Sequence, residues 1–196
     1  MNESKQDFEE IAYIIYKDSL EKGYLLEGGY MPESTFSNMV ALGIKRERFG
    51  WTADFIHEQK DYLKADQRDS LVNFNEAQLY YAQGKLSAVA QHLIKVSTKQ
   101  PFLYLGAKSL LLKVLYETKE WDALDSTLES LRVYLQRRKD LGYRAMHYQL
   151  LLRFFKQLIQ LKPGDKQARK ELREAITQAD AFRMKEWFYG WLRGVS

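Results

Sequence analysis

The chain has no cysteine and only three prolines and three histidines among its 196 residues. Without cysteine, disulfides, thiolate metal sites and cysteine nucleophiles are excluded. No apolar run reaches the roughly 18 residues that a membrane-spanning helix needs. The first residues also lack the basic and apolar regions of a signal peptide. We therefore expect a cytoplasmic protein without membrane partners, an expectation that does not extend to a longer parent protein if the chain is a fragment.

Charge is distributed unevenly along the chain. The formal net charge is +4. Residues 1–131 carry 15 Lys and Arg against 20 Asp and Glu, whereas residues 132–175 carry 12 against 4. A basic segment of this kind often faces an anionic partner or a neighbouring part of an assembly.

Apolar residues recur at helical spacing, and no alternating run bounded by turns indicates a β-strand. The spacing predicts an all-α fold. A first helix, with Ile11, Ile15 and Leu20 among its apolar positions, is predicted to end near Gly23. After a glycine-rich loop, a short second helix is predicted to end at Gly43, because glycine favours helix C-termini.

From there the helices are expected to alternate as antiparallel pairs. The segment 102–118 is apolar nearly all round, which is typical of a helix in the middle of a protein. The break at 162–165 separates two further helices, and an aromatic segment ends the chain. The predicted hairpins span approximately residues 34–63, 67–97, 101–138 and 143–180, with a capping helix over 182–193.

A weak internal repeat supports this arrangement. Residues 79–89 align with residues 114–124 at a spacing of 35, with identities at Tyr81/Tyr116 and Ala88/Ala123. A fixed period of this size is typical of solenoids, since one hairpin cannot bury its apolar face alone. We expect a single domain over residues 1–196, built as a right-handed solenoid of about four hairpins with an N-terminal helix and a C-terminal cap.

One repeat unit resembles a tetratricopeptide repeat, a helical hairpin of about 34 residues. The small residue, tyrosine, turn glycine, packing pair and closing proline of that family correspond to Ala77, Tyr80, Gly84, Val89, Leu93 and Pro101. The resemblance extends as a pattern over residues 34–180 and is most specific over residues 71–131.

The resemblance implies a non-catalytic scaffold that binds a protein or peptide through a concave groove lined by the first helix of each hairpin. Carried onto this chain, the groove residues are Phe74, Gln78, Tyr81, Ser109, Lys113 and Tyr116, joined by Arg153 and Lys156 if the longer helix turns that face inward. Lys113 favours an acidic partner, because an unpaired ammonium does not stay buried. The alternative for both tyrosines is that they pack between hairpins with their hydroxyls in water.

The sequence is also compatible with other functions. The basic segment 132–175 makes a nucleic-acid-associated repeat the main alternative, although no recognition module interleaves aromatic residues with its charges. An enzyme with a site between repeats is a third hypothesis. His57 and Glu58 resemble the start of a helical zinc-protease motif, but the second histidine is missing. His92 and His147 stand alone on helices, and we therefore expect no metal, no cofactor and no catalysis.

Overall fold

A computed structural model describes residues 3–97, 99–138 and 140–194, with side chains from residue 10 to residue 193 of these ranges. Helices make up 76% of it and no β-strand occurs in the described ranges, which confirms the all-α prediction. A 3-10 turn covers Lys60–Tyr62. The α-helices are α1 (Glu3–Glu21), α2 (Glu33–Lys45), α3 (Phe49–Gln59), α4 (Ala65–Ala82), α5 (Leu86–Leu93), α6 (Pro101–Glu117), α7 (Trp121–Arg137), α8 (Arg144–Gln160), α9 (Lys166–Gln178) and α10 (Lys185–Gly194).

The chain divides into two compact units, Met1–Lys119 and Glu120–Ser196. Helices α1 to α6 belong to the first unit and α7 to α10 to the second. The predicted hairpin over 101–138 therefore has its two helices in different units. The single domain over residues 1–196 stays a prediction.

In the first unit each helix packs on the next one, and α4 also packs on α2 and on α6. Helix α2 contacts α3 and α4, α3 contacts α4, α4 contacts α5 and α6, and α5 contacts α6. One apolar cluster joins α2, α3 and α4 through buried residues that include Phe36, Met39, Val40, Phe55, Ile56 and Leu71. A second cluster joins α4, α5 and α6 through Ala77, Val89, Leu93, Val96, Ala107, Leu110 and Val114.

Helix α1 packs through only part of the apolar stripe that the spacing suggested. Leu20 packs against the first cluster, and Tyr13 meets Trp51 edge to face with ring centroids 4.9 Å apart. Ile11 and Ile15 are instead 52% and 58% exposed. Tyr13, Tyr16 and Leu20 make the apolar contacts of α1 with the rest of the first unit. Ile11 and Ile15 belong to a second apolar stripe that is exposed.

Gly43 lies inside a helix and does not end it. Helix α2 continues to Lys45, and the chain turns at Glu47, which has a φ of 54°. Gly43 is buried against α3, where a Cβ atom on its backbone would lie 2.2 Å from Thr52 Oγ1 and 3.1 Å from Trp51 Cζ3. The prediction that Gly43 ends α2 is therefore wrong, since this glycine lets α2 and α3 approach each other closely.

Gly43→Ala is expected to lower the free energy of unfolding by about 1–3 kcal/mol, because the added methyl group overpacks the contact with Thr52. Gly50→Ala is the matched control, since a Cβ atom at Gly50 meets nothing within 4 Å. That substitution in α3 should be neutral or stabilising by up to about 1 kcal/mol. Urea denaturation checks both, and equal effects of the two substitutions would contradict the close approach of α2 and α3.

The second unit is built by sequential packing of α7 on α8, α8 on α9 and α9 on α10. Lys162 and Pro163 follow the end of α8 as predicted, and Asp165 begins α9 by accepting a hydrogen bond from the Ala168 backbone N–H at 2.9 Å. Helix α10 begins at Lys185, three residues later than the predicted cap. An aromatic cluster of Phe154, Phe155, Phe182, Trp187 and Phe188 joins α10 to α8.

Candidate functional site

The groove residues of the first unit lie on two neighbouring helices. Gln78 and Tyr81 are three residues apart on α4, and Lys113 and Tyr116 are three apart on α6, so each pair shares a helix face. Because α4 and α6 pack against each other, the two faces can meet. Gln78, Tyr81 and Lys113 are each partly exposed.

Tyr81 and Lys113 do meet, and a third residue joins them. The Lys113 ammonium lies 5.5 Å from the centroid of the Tyr81 ring, in cation–π geometry. The Tyr81 hydroxyl donates a hydrogen bond of 2.5 Å to Glu117 Oε1. We call Tyr81, Lys113 and Glu117 the α4–α6 cluster. Glu117 is not among the residues that the sequence predicted for the groove, although it follows Lys113 by four residues and shares its helix face.

The electrostatics of the cluster centre on Lys113. Partial burial lowers the pKa of the Lys113 ammonium, and the negative charge of Glu117 acts against this by raising it. Burial reduces the water around the cation, and charges interact more strongly where water is excluded. A carboxylate arriving at Lys113 would therefore be attracted more strongly than at a fully solvated lysine.

The other groove residues that the resemblance implied for the first unit, Phe74, Ser109 and Tyr116, pack within that unit. Tyr116 is 9% exposed, and burial raises the pKa of its phenol. Ser109 is also 9% exposed, and its hydroxyl donates to the Leu105 carbonyl at 2.8 Å. Phe74 packs on Gly106, where an added Cβ atom would lie 2.9 Å from its ring. Ser109 and Tyr116 therefore do not face outward as implied, because α6 is buried on most of its circumference, whereas Phe74 on α4 is partly exposed.

Arg153 and Lys156 belong to α8 of the second unit, and both are exposed. The Arg153 guanidinium lies 5.8 Å from the Phe154 ring centroid. Arg153 also lines an open cavity of about 360 Å³ between α8 and α9, together with Gln157, Gln160 and Glu171. Lys156 lies near Glu129 of α7, whose pKa is lowered first by a hydrogen bond from Arg132 and further by the charge of Lys156.

Some of the described cations of the basic segment 132–175 form ion pairs with carboxylates, and others do not. Arg132 pairs with Glu129 at 2.5 Å and Arg138 pairs with Asp140 at 2.7 Å, while Lys170 and Glu174 are 3.9 Å apart. Lys139 lies outside the described residues. Within the described part of the chain, the cations of this segment without an ion pair include Arg153, Lys156, Lys162, Lys166, Arg169 and Arg173.

The histidines have ordinary surroundings. His57 is exposed, with Nδ1 3.5 Å from the Lys60 ammonium. His92 Nδ1 lies 3.0 Å from Glu76 Oε2. His147 accepts a hydrogen bond of 3.3 Å from the Arg183 backbone N–H, and its pKa is lowered by burial and further by the Arg183 charge. Over the described ranges, no group of three or more His, Asp or Glu side chains is placed to hold a metal ion.

None of the helices in the described ranges combines the length and apolar character that crossing a membrane requires. A comparison of the chain with protein-family models, curated proteins and solved structures finds no match.

Proposed function

We propose that the chain is a non-catalytic protein-interaction module that binds an acidic peptide or protein segment across α4 and α6. The binding surface consists of Gln78, Tyr81 and Lys113, with Tyr116 supporting it from the interior. Arg153 and Lys156 form a separate basic surface on the second unit.

The packing of the first unit supports a tetratricopeptide-like arrangement. In such repeats, the first helix of a hairpin contacts its own second helix and the first helix of the next hairpin. Helices α2, α3, α4, α5 and α6 make this set of contacts twice in succession. Side-by-side first helices give a continuous surface, which is how solenoids bind extended partners.

The observation that carries the proposal is the α4–α6 cluster. Its cation is partly desolvated and rests on an aromatic ring, and among the described residues it forms no ion pair. A partly buried ammonium destabilises the fold unless something compensates for its lost hydration. An acidic partner would supply that compensation. Binding would therefore explain why a lysine occupies position 113 despite its cost to stability.

The test begins with peptides selected from a displayed random library against the immobilised protein, and we expect the selected sequences to be acidic. Fluorescence anisotropy then gives the dissociation constants of these peptides for the unmodified protein, for Lys113→Met and for Lys108→Met. Lys108 is the matched control, because it lies on the same helix with its ammonium 5.5 Å from the Tyr104 ring centroid. Lys113→Met should weaken binding about 10- to 100-fold, as expected for losing a charge-assisted hydrogen bond.

Lys113→Met should also leave the fold intact or raise its stability, because methionine keeps the apolar stem and removes the charge whose pKa burial lowers. Lys108→Met should change affinity less than about twofold, since surface substitutions away from a site have small effects. Equal affinity of the Lys113→Met variant, or selected peptides without acidic residues, would contradict the proposal.

A further inference from the structure

The second unit carries cations on two adjacent helices with an aromatic side chain between them. On α9, Lys166, Lys170 and Arg173 follow each other at spacings of four and three, so they lie along one face. On α10, Lys185, Tyr189 and Arg193 follow each other at spacings of four. We call these six residues the basic strip.

Three contacts place the two faces edge to edge. The Arg173 guanidinium lies 4.9 Å from the centroid of the Tyr189 ring. The Tyr189 hydroxyl and Thr177 Oγ1 are 2.9 Å apart, and the Lys185 ammonium donates to the Thr177 carbonyl at 2.8 Å. The cations of α9 and α10 are therefore on one continuous surface, with Tyr189 near its centre.

The charge of this surface is largely uncompensated. Within the described residues, Lys166, Arg173, Lys185 and Arg193 form no ion pair, and the Lys170 contact with Glu174 is long, at 3.9 Å. By contrast, Arg132 and Arg138 of the same unit are each hydrogen-bonded to a carboxylate by two nitrogen atoms. Lys166, Lys170, Arg173 and Arg193 are exposed, so the positive charge of α9 and α10 collects on a surface that is open to water.

We propose that the basic strip binds single-stranded nucleic acid. Uncompensated cations attract phosphates, and the guanidinium lying over the Tyr189 ring offers the flat surface on which unpaired bases stack. An acidic peptide would use the cations but has no need of the ring. Lys185, Tyr189 and Arg193 lie beyond the basic segment 132–175, so that segment alone did not indicate an aromatic ring beside the cations of α9.

The experiment measures binding of a short fluorescein-labelled oligodeoxythymidylate to the full chain by anisotropy at several salt concentrations. Contact with ~3–4 phosphates predicts that the logarithm of the association constant falls with the logarithm of salt concentration at a slope of about −2 to −3. A duplex of equal length should bind more weakly, because its bases are not available for stacking. Poly-glutamate should compete poorly.

Variants then separate stacking from charge. Tyr189→Leu should weaken binding about 5- to 100-fold, whereas Tyr189→Phe keeps the ring and should bind like the unmodified protein. Arg173→Gln should weaken binding and reduce the magnitude of the salt slope by about 0.7. Arg138→Gln is the matched control, because Arg138 also lies over a tyrosine ring but is paired with Asp140, and it should change neither quantity.

Absence of oligodeoxythymidylate binding at low salt would overturn the proposal. So would unchanged binding by folded Tyr189→Leu, or tight binding of poly-glutamate with the same sensitivity to the variants, which would identify an acidic-peptide surface instead. If Tyr189→Leu does not fold, as circular dichroism would show, Arg173→Gln decides the matter, since exposed Arg173 can be replaced with little effect on stability.

Discussion

Phe188→Ala is expected to lower the free energy of unfolding by about 3–5 kcal/mol, the range for truncating a fully buried phenylalanine. Phe188 is 0% exposed. Its ring centroid lies 5.1 Å from that of Phe155, 5.3 Å from that of Phe182 and 5.0 Å from that of Trp187. Alanine would leave a cavity bounded by these rings and remove their edge-to-face contacts with Phe188, which stabilise the cluster beyond the buried area alone.

Tyr143→Ala provides the control for this prediction. Tyr143 belongs to the same unit but is 78% exposed, and removal of its side chain should change stability by less than about 0.5 kcal/mol. Urea denaturation followed by tryptophan fluorescence suits the measurement, because Trp187 lies in the cluster. Equal losses for Phe188→Ala and Tyr143→Ala would mean that the aromatic cluster does not hold α10 on the unit.

Leu112→Ala is expected to cost about 2–5 kcal/mol, because Leu112 is 0% exposed in α6. Leu111 is the neighbouring control. It has the same side chain but is only partly buried against the second cluster, so Leu111→Ala should cost less. A loss below about 1 kcal/mol for Leu112→Ala in chemical denaturation would mean that α6 is peripheral.

Local sequence signals were sufficient to predict most helices and several of their ends. Pro101 begins α6 as predicted, which suits a residue that lacks an N–H in a first helical turn. Gly84, with a φ of 72°, follows the end of α4 and adopts a backbone conformation that favours glycine. The nearly continuous apolar character of α6 matches its many buried residues, which include Leu105 and Leu112.

Features that depend on distant parts of the chain could not be predicted. Gly43 resembles a helix end until its contact with Thr52 on α3 is known. The Tyr81 hydroxyl bonds Glu117 across 36 residues of sequence, and no local pattern indicates that pairing. Tyr189 likewise meets Arg173 only because α10 folds back along α9. The candidate site was therefore predicted as separate residues, and the structure decides which of them lie together.

We propose that partners bind across α4 and α6, on the face that carries Gln78, Tyr81 and Lys113. Because the chain has no cysteine, Gln78→Cys and Gln91→Cys each allow one environment-sensitive fluorophore to be attached at a single position. Gln78 lies on α4, whereas Gln91 is exposed on α5, the second helix of the same pair. Both labelled proteins would be titrated with a selected acidic peptide. The proposal predicts a saturable emission change from the label at residue 78 and none at residue 91, and the reverse result would contradict it.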